Sequence, residues 1–230
     1  MPRRSLIVLI LLTLVLASCS PIFKTIVGLH DPKVENPESI VKFINKSGCS
    51  FAHNYVLKCE SDSLSIFKSI ALNGNNEVYV FDGKGRRYCY SSNDSISCSA
   101  SMLELVFHQF QENFEPCIND SVSLDQLQQR FIRIVATDEL ILQDSSYYLV
   151  YYWSKFFGGK RQYKENLMWL KSMQMESPLN FTILMVNTDL QEAWGLEPGK
   201  KMKIKLKINS HGGSVTFGKI PYRKNRLELL

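Results

Sequence analysis

Tyr147-Tyr-Leu-Val-Tyr-Tyr-Trp153-Ser-Lys-Phe-Phe-Gly-Gly-Lys160 is the stretch on which the fold turns. Residues 147–153 are apolar or aromatic without interruption, which predicts a strand covered on both faces. Gly158 and Gly159 lie in the loop that follows, and 162–175 carries Leu167, Trp169, Leu170 and Met173 at helical spacing. Phe181-Thr-Ile-Leu-Met-Val186 is a second two-faced strand, ending at Asn187-Thr-Asp189. A strand, a loop, a helix and another strand in that order predict a crossover unit with parallel strands.

Downstream, a short helix over 190–196 precedes Lys201-Met-Lys-Ile-Lys-Leu-Lys-Ile208, whose strict alternation predicts a strand with one wet face. Residues 209–214 turn the chain, and Val215-Thr-Phe217 pairs back. Upstream, Ser123-Leu-Asp-Gln126 has capping-box form, with Leu124, Leu127, Phe131 and Ile134 continuing one helical face. Glu115-Pro116-Cys117 and the polar 119–121 read as a boundary. Before it, strands are expected at 24–29, 55–59, 77–82 and 86–90, with helices at 36–48, 61–72 and 99–111. Asn36-Pro37-Glu38 starts the first of these helices and Gly48 stops it. Gly83-Lys-Gly85 closes a hairpin. The class is α/β, with two tandem lobes: 19–117 in the order β-α-β-α-β-β-α, and 118–230 in the order α-β-α-β-α-β-β.

The first 18 residues stand apart. Arg3 and Arg4 precede an apolar run from Leu6 to Ala17 broken only by Thr13. Twelve helical residues reach about 18 Å, short of the ~30 Å hydrocarbon core, so the run reads as a secretory signal peptide and not a span. Leu16-Ala17-Ser18-Cys19 resembles the lipobox of bacterial lipoproteins. The resemblance implies cleavage before Cys19, lipid on its thiol, and a membrane as partner. Ser20 in the next position implies an outer membrane where the host has one. Loss of Arg3 and Arg4 leaves 25 basic against 22 acidic residues, a net of +3. Nine of those bases and one acid fall in 200–230, a basic end that could meet anionic lipid or an acidic partner, or simply be solvated.

Five further cysteines remain: Cys49, Cys59, Cys89, Cys98 and Cys117. An odd number leaves at least one thiol unpaired in a monomer. No Cys-x-x-Cys occurs, and His30, His53, His108 and His211 lack ligand spacing, so no metal site is expected. No Gly-x-Ser-x-Gly, P-loop or dinucleotide fingerprint is present, so no cofactor and no nucleic acid are implied. Cys89 and Cys98, on a strand and in the loop after it, are the candidate pair, whether as a labile disulfide, a structural one or two free thiols. Asp82, Asp189 and Glu192 lie at strand ends, where carboxylates do acid–base work or cap turns. The aromatic run from Tyr147 to Trp153 could line a groove or pack a core. Asp62-Ser63-Leu64, Asp94-Ser95-Ile96 and Asp120-Ser121-Val122 resemble an O-glycosylation acceptor of exported bacterial proteins.

A strand feeding a helix, then a parallel strand, then a hairpin resembles the thioredoxin core. Membrane-tethered thiol-disulfide oxidoreductases of that superfamily read Phe-Trp-Ala-x-Trp-Cys-Gly-Pro-Cys where the first strand meets its helix. Here Trp153 keeps the aromatic, Phe156 stands at the second tryptophan and Gly158 is kept. Phe157 and Lys160 occupy the cysteine positions, and Gly159 that of the proline. Residues 184–189 with Trp194, and the Asp82–Gly85 hairpin, are similar to later parts of the same pattern.

Disulfide exchange needs a low-pKa thiolate and a resolving thiol. Phe157 and Lys160 provide neither, so the resemblance implies fold without redox chemistry. It also implies a groove for an extended peptide or protein partner, with Trp153, Phe156, Phe157, Gly158, Gly159 and Lys160 as the contact loop. The alternatives are an enzyme using Cys89 and Cys98, or a structural surface lipoprotein. Lys201, Lys203, Lys205 and Lys207 cannot all enter a covered sheet, because each unpaired buried ammonium costs several kcal/mol. That strand therefore has an open face or lies at an edge guarded by lysines.

Overall fold

The computed structural model describes residues 28–60, 63–73, 78–91, 99–118, 122–134, 140–209 and 212–223. In chain order the elements are α1 (Pro37–Ser47), β1 (His53–Leu57), α2 (Ser63–Asn73), β2 (Tyr79–Phe81) and β3 (Arg87–Tyr90). Next come α3 (Ser99–His108), α4 (Phe110–Asn113), β4 (Phe114–Pro116), α5 (Leu124–Gln128) and β5 (Phe131–Arg133). Then follow β6 (Tyr147–Trp153), α6 (Gly159–Glu176), β7 (Phe181–Asn187), a 3-10 turn (Glu192–Trp194), β8 (Ile204–Asn209) and β9 (Gly212–Phe217).

β1 to β7 form one mixed sheet of seven strands in the order β4-β3-β2-β6-β7-β1-β5. β6 and β7 are parallel along their whole length, from Tyr147 opposite Phe181 to Trp153 opposite Asn187. β1 joins parallel to β7, and β2 joins antiparallel to β6. The two expected lobes are thus not what the backbone builds: strands from both sides of residue 117 interleave in a single sheet. The reason lies in β6 and β7. Each is apolar on both faces and each needs two flanking strands, which the first half of the chain supplies.

Side chains of β6 alternate strictly between the two sides. Tyr148, Val150 and Tyr152 join one cluster with Phe67, Phe81, Leu124, Leu184 and Val186. Leu149 and Trp153 join the other, with Ile40, Phe43, Val106, Leu167, Leu170 and Met185. Leu149 at 0 % and Val150 at 1 % exposure each contribute about 1.5–3 kcal/mol by burial. α1, α3 and α6 cover one face. α2, α5 and the β8–β9 hairpin cover the other.

α1 forms as its letters dictate. The Asn36 side chain accepts from Ser39 N at 2.9 Å, Ser39 Oγ accepts from Asn36 N at 3.2 Å, and Gly48 ends the helix at φ 69°. α5 departs from expectation. Its capping box is present, but the helix stops at Gln128, and Phe131 lies in β5 opposite Leu57. The open edge of β1 needs backbone partners, and that need overrides a helical spacing of apolar residues.

The stretch read as a boundary is β4, the edge strand beside β3. A disulfide joins Cys89 to Cys117, with Cα atoms 5.0 Å apart. Cys89 is therefore not paired with Cys98, which lies outside the described residues. β3–β4 pairing, extended by Cys117 N donating to Arg87 O at 3.0 Å, brings Cys117 within bonding range. The expected hairpin of the second half stands off the main sheet as a two-stranded sheet of its own. Met202 and Ile204 are buried while Lys201, Lys203 and Lys205 are exposed, so the expected alternation is found over 201–205, with the strand itself beginning at Ile204. Cys19 and the residues read as a signal peptide lie outside the described residues. Among the described residues no helix is long and apolar enough to cross a membrane.

Candidate functional site

In open α/β sheets, ligands bind beyond the carboxyl ends of parallel strands. Here that place is the mouth of β6 and β7, and the quoted loop lies in it. β6 ends at Trp153, and α6 begins at Gly159 and packs Leu167 and Leu170 onto the sheet. The 157–160 stretch thus stands at the start of a helix on the central sheet.

Of the residues expected to contact a partner, Trp153 at 4 % and Phe156 at 3 % exposure are core. Trp153 packs on Tyr163 at 4.4 Å, and Phe156 on Phe67 at 5.4 Å. Phe157 is half-buried against Phe156 at 4.7 Å. Lys160 is exposed, and Gly158 holds φ 76° just before the helix. The expected contact surface therefore shrinks to a rim of Phe157, Gly158 and Lys160. Large aromatic side chains gain more by joining the core than by facing water.

Residues 28–35 run across the loop as an extended strap. Leu29 bridges Phe157, His30 N donates to Phe156 O at 2.7 Å, and Gly158 N donates to Gly28 O at 2.6 Å. The strap then crosses to the loop after β7. Val34 N donates to Lys200 O, Met202 N to Pro32 O, Glu35 N to Leu190 O, and Glu192 N to Glu35 O, each at 2.8–2.9 Å. The backbone of the loop thus pairs with an extended chain, and that chain is the protein's own.

Beneath the strap is a polar cluster. Lys155 Nζ pairs with Glu35 Oε2 at 2.7 Å, and Ser39 Oγ donates to the same oxygen at 2.5 Å. Lys155 N donates to both oxygens of Asp189 at 3.0 and 3.1 Å, and Asn187 Nδ2 donates to Asp189 Oδ2 at 2.8 Å. Gln191 Nε2 completes the ring on Asp189 O at 3.0 Å. Burial pushes the Asp189 carboxyl up to about 6, against the pull of the Asn187 and Lys155 hydrogen bonds, with Glu35 adding to the rise. Ser154 Oγ, Trp153 Nε1 and Tyr163 Oη are buried without a hydrogen bond to the protein. Burial also raises the Tyr163 phenol, the nearby Cys49 adding to it.

Among the sequence candidates, Asp189 belongs to this cluster and the others do not. Asp82 closes the β2–β3 turn, accepting from Lys84 N and Arg86 N and pairing with the Arg86 guanidinium at 2.7 Å. Glu192 pairs with Arg223 at 2.7 Å. Ser63 is 4 % exposed and donates to Lys58 O at 2.7 Å, while Asp62 and the motif serines Ser95 and Ser121 lie outside the described residues. Cys49 and Cys59 are free thiols in the segments after α1 and after β1. No group of three or more His, Cys, Asp or Glu with metal-holding geometry occurs among the described residues. Among the described residues, a cavity of about 540 Å³ beside Val41 and Ile134 lies away from the loop. So does one of about 160 Å³ lined by Cys59, Trp194 and Tyr222.

Sequence reasoning missed Glu35, Lys155 and the strap. An extended segment has no periodicity to read, and two charges far apart in the chain do not announce that they meet. Comparison with known proteins returns nothing: no family model, no curated protein sequence and no solved structure matches the chain.

Proposed function

We propose that the chain is a redox-inactive, lipid-anchored protein of the bacterial cell envelope, built on a thioredoxin-like scaffold and serving to bind a protein or peptide partner. One observation carries the reading. The loop at the start of α6 sits where thiol chemistry would be done, and it holds Phe157 and Lys160, which can neither attack nor resolve a disulfide. The sheet supports the scaffold. A strand feeds a helix and a parallel strand, and the hairpin β2–β3 lies beside β6 with its first strand inside the sheet. That hairpin comes before β6 in the chain, not after β7, so the likeness is one of spatial order reached by a different chain order.

Pairing of Cys89 with Cys117 supports an oxidising compartment, and with it the leader read from Arg3 to Cys19. The rival reading, an enzyme using Cys89 with Cys98, loses its pair. The strap supports this reading, since an extended segment already bonds the loop antiparallel, and the exposed rim at Lys160 is where a second chain makes contact.

Insulin reduction by the purified protein tests the chemistry: no turnover above the reductant alone is expected, and measurable turnover overturns the reading. A photocrosslinking residue at 160 in intact envelopes tests the partner. It should give a discrete adduct that the same residue at Glu115, on β4, does not give. Identical adducts at both positions count against the rim.

A further inference from the structure

We infer that the lysine face beside the strap rests on the anionic headgroups of the membrane that holds the chain. This inference rests on the anchor at Cys19 proposed above. The strap and the run into β8 lie side by side, with Lys33 directly opposite Lys201. Opposed residues share a face, and Lys33, Lys201, Lys203 and Lys205 are all exposed while Met202 and Ile204 turn inward. Lys203 pairs with Asp31 at 3.0 Å, and the neighbouring Lys200 lies 3.8 Å from Glu197. Among the described residues of this strip, five ammonium groups thus meet two carboxylates, a net of +3. Like charges directly across a strand pair disfavour the fold. An anionic surface offsets that repulsion.

Tether length selects the occupant. Eight residues separate Cys19 from Gly28, nine chain steps with a reach of at most about 30 Å, and the strap leads from Gly28 to Lys33. Lipid on Cys19 therefore keeps this face near the bilayer at high effective concentration.

The test uses the full lipid-modified chain purified from membranes and placed in vesicles of phosphatidylcholine alone, or with phosphatidylglycerol added. A water-soluble amine-acetylating reagent is applied and each lysine is read by mass spectrometry. On anionic vesicles, labelling of Lys33, Lys201, Lys203 and Lys205 should fall about fivefold, recovering at high salt. Lys46 and Lys164, exposed on α1 and α6, should not change. A chain that floats with vesicles at high salt but labels equally on both compositions overturns the docking alone. Protection on neutral vesicles too, or protection in intact envelopes but not on anionic vesicles, also overturns it, the latter assigning the face to an acidic protein. A chain that fails to float at high salt overturns the anchor and this inference together.

Discussion

Glu35, Lys155 and Asp189 put two carboxylates and one ammonium under the strap, and their energetics are decided by burial. Asp189 keeps its proton to about pH 6 in the fold, against an ordinary 3.8. Between those values the unfolded chain binds fewer protons than the folded one, so stability falls as pH rises through the window and levels off above it. Asp189→Asn removes that dependence. Urea unfolding at pH 4.5 and 7 should show a wild-type loss of about 2 kcal/mol from this group that the variant lacks. An unchanged difference in Asp189→Asn sinks the assignment. Glu35→Gln leaves the Lys155 ammonium, 19 % exposed, without its counter-charge and should cost about 1–3 kcal/mol. Lys155→Met combined with Glu35→Gln should recover most of that loss, whereas simple additivity of the two would show that they are not coupled.

Elements differ in how openly the sequence declares them. β6 and β7 are legible because two apolar faces leave only a central strand as a reading. α1 is legible because Asn36, Pro37 and Gly48 mark both ends, and β2–β3 because Gly83 and Gly85 frame the turn. β5 is not, since Phe131 and Ile134 sit at helical spacing and are drawn into a strand by the open edge of β1. β4 hides behind Pro116, which an edge strand tolerates. Its bond to β3 closes a 28-residue separation, so the double variant Cys89→Ser with Cys117→Ser should lose about 3–4 kcal/mol in denaturant, and an unchanged midpoint would show the bridge to be ornamental. At the start of α6, a Cβ on Gly158 would lie 2.1 Å from Gln162 Oε1, on a backbone already at φ 76°. Gly158→Ala should cost about 1–3 kcal/mol. Adding Gln162→Ala removes the Oε1 and Cδ contacts but keeps the Gln162 Cβ at 2.7 Å, so it should restore only part of the loss. Full restoration would mean that the left-handed conformation is not required.

For the molecule as a whole, what the sequence hides is association at a distance. Nothing local tells β2 to pair with β6, or residues 28–35 to lie over the mouth of the sheet, because both depend on backbone groups that meet only after collapse. That is why two lobes are the natural reading and one sheet is the result. The strap is the clearest case. Leu29 and Val34 are 4 % and 2 % exposed and pack in the same cluster as Phe156, Leu190 and Met202. Its backbone joins the loop after β6 to the loop after β7, so it behaves as a core element of the fold and not as a free linker to an anchor. A chain starting at Gly28 should unfold cooperatively with the stability of the longer protein. One starting at Asn36 should lose the cooperative transition, since it uncovers that cluster and strips the partners of Gly158 N, Lys200 O and Glu192 N. Leu29→Ala alone should cost about 2–4 kcal/mol by urea titration. If the chain from Asn36 kept its midpoint, the strap would be a removable cover over a preformed groove, and the loop would be open to an extended partner without any exchange.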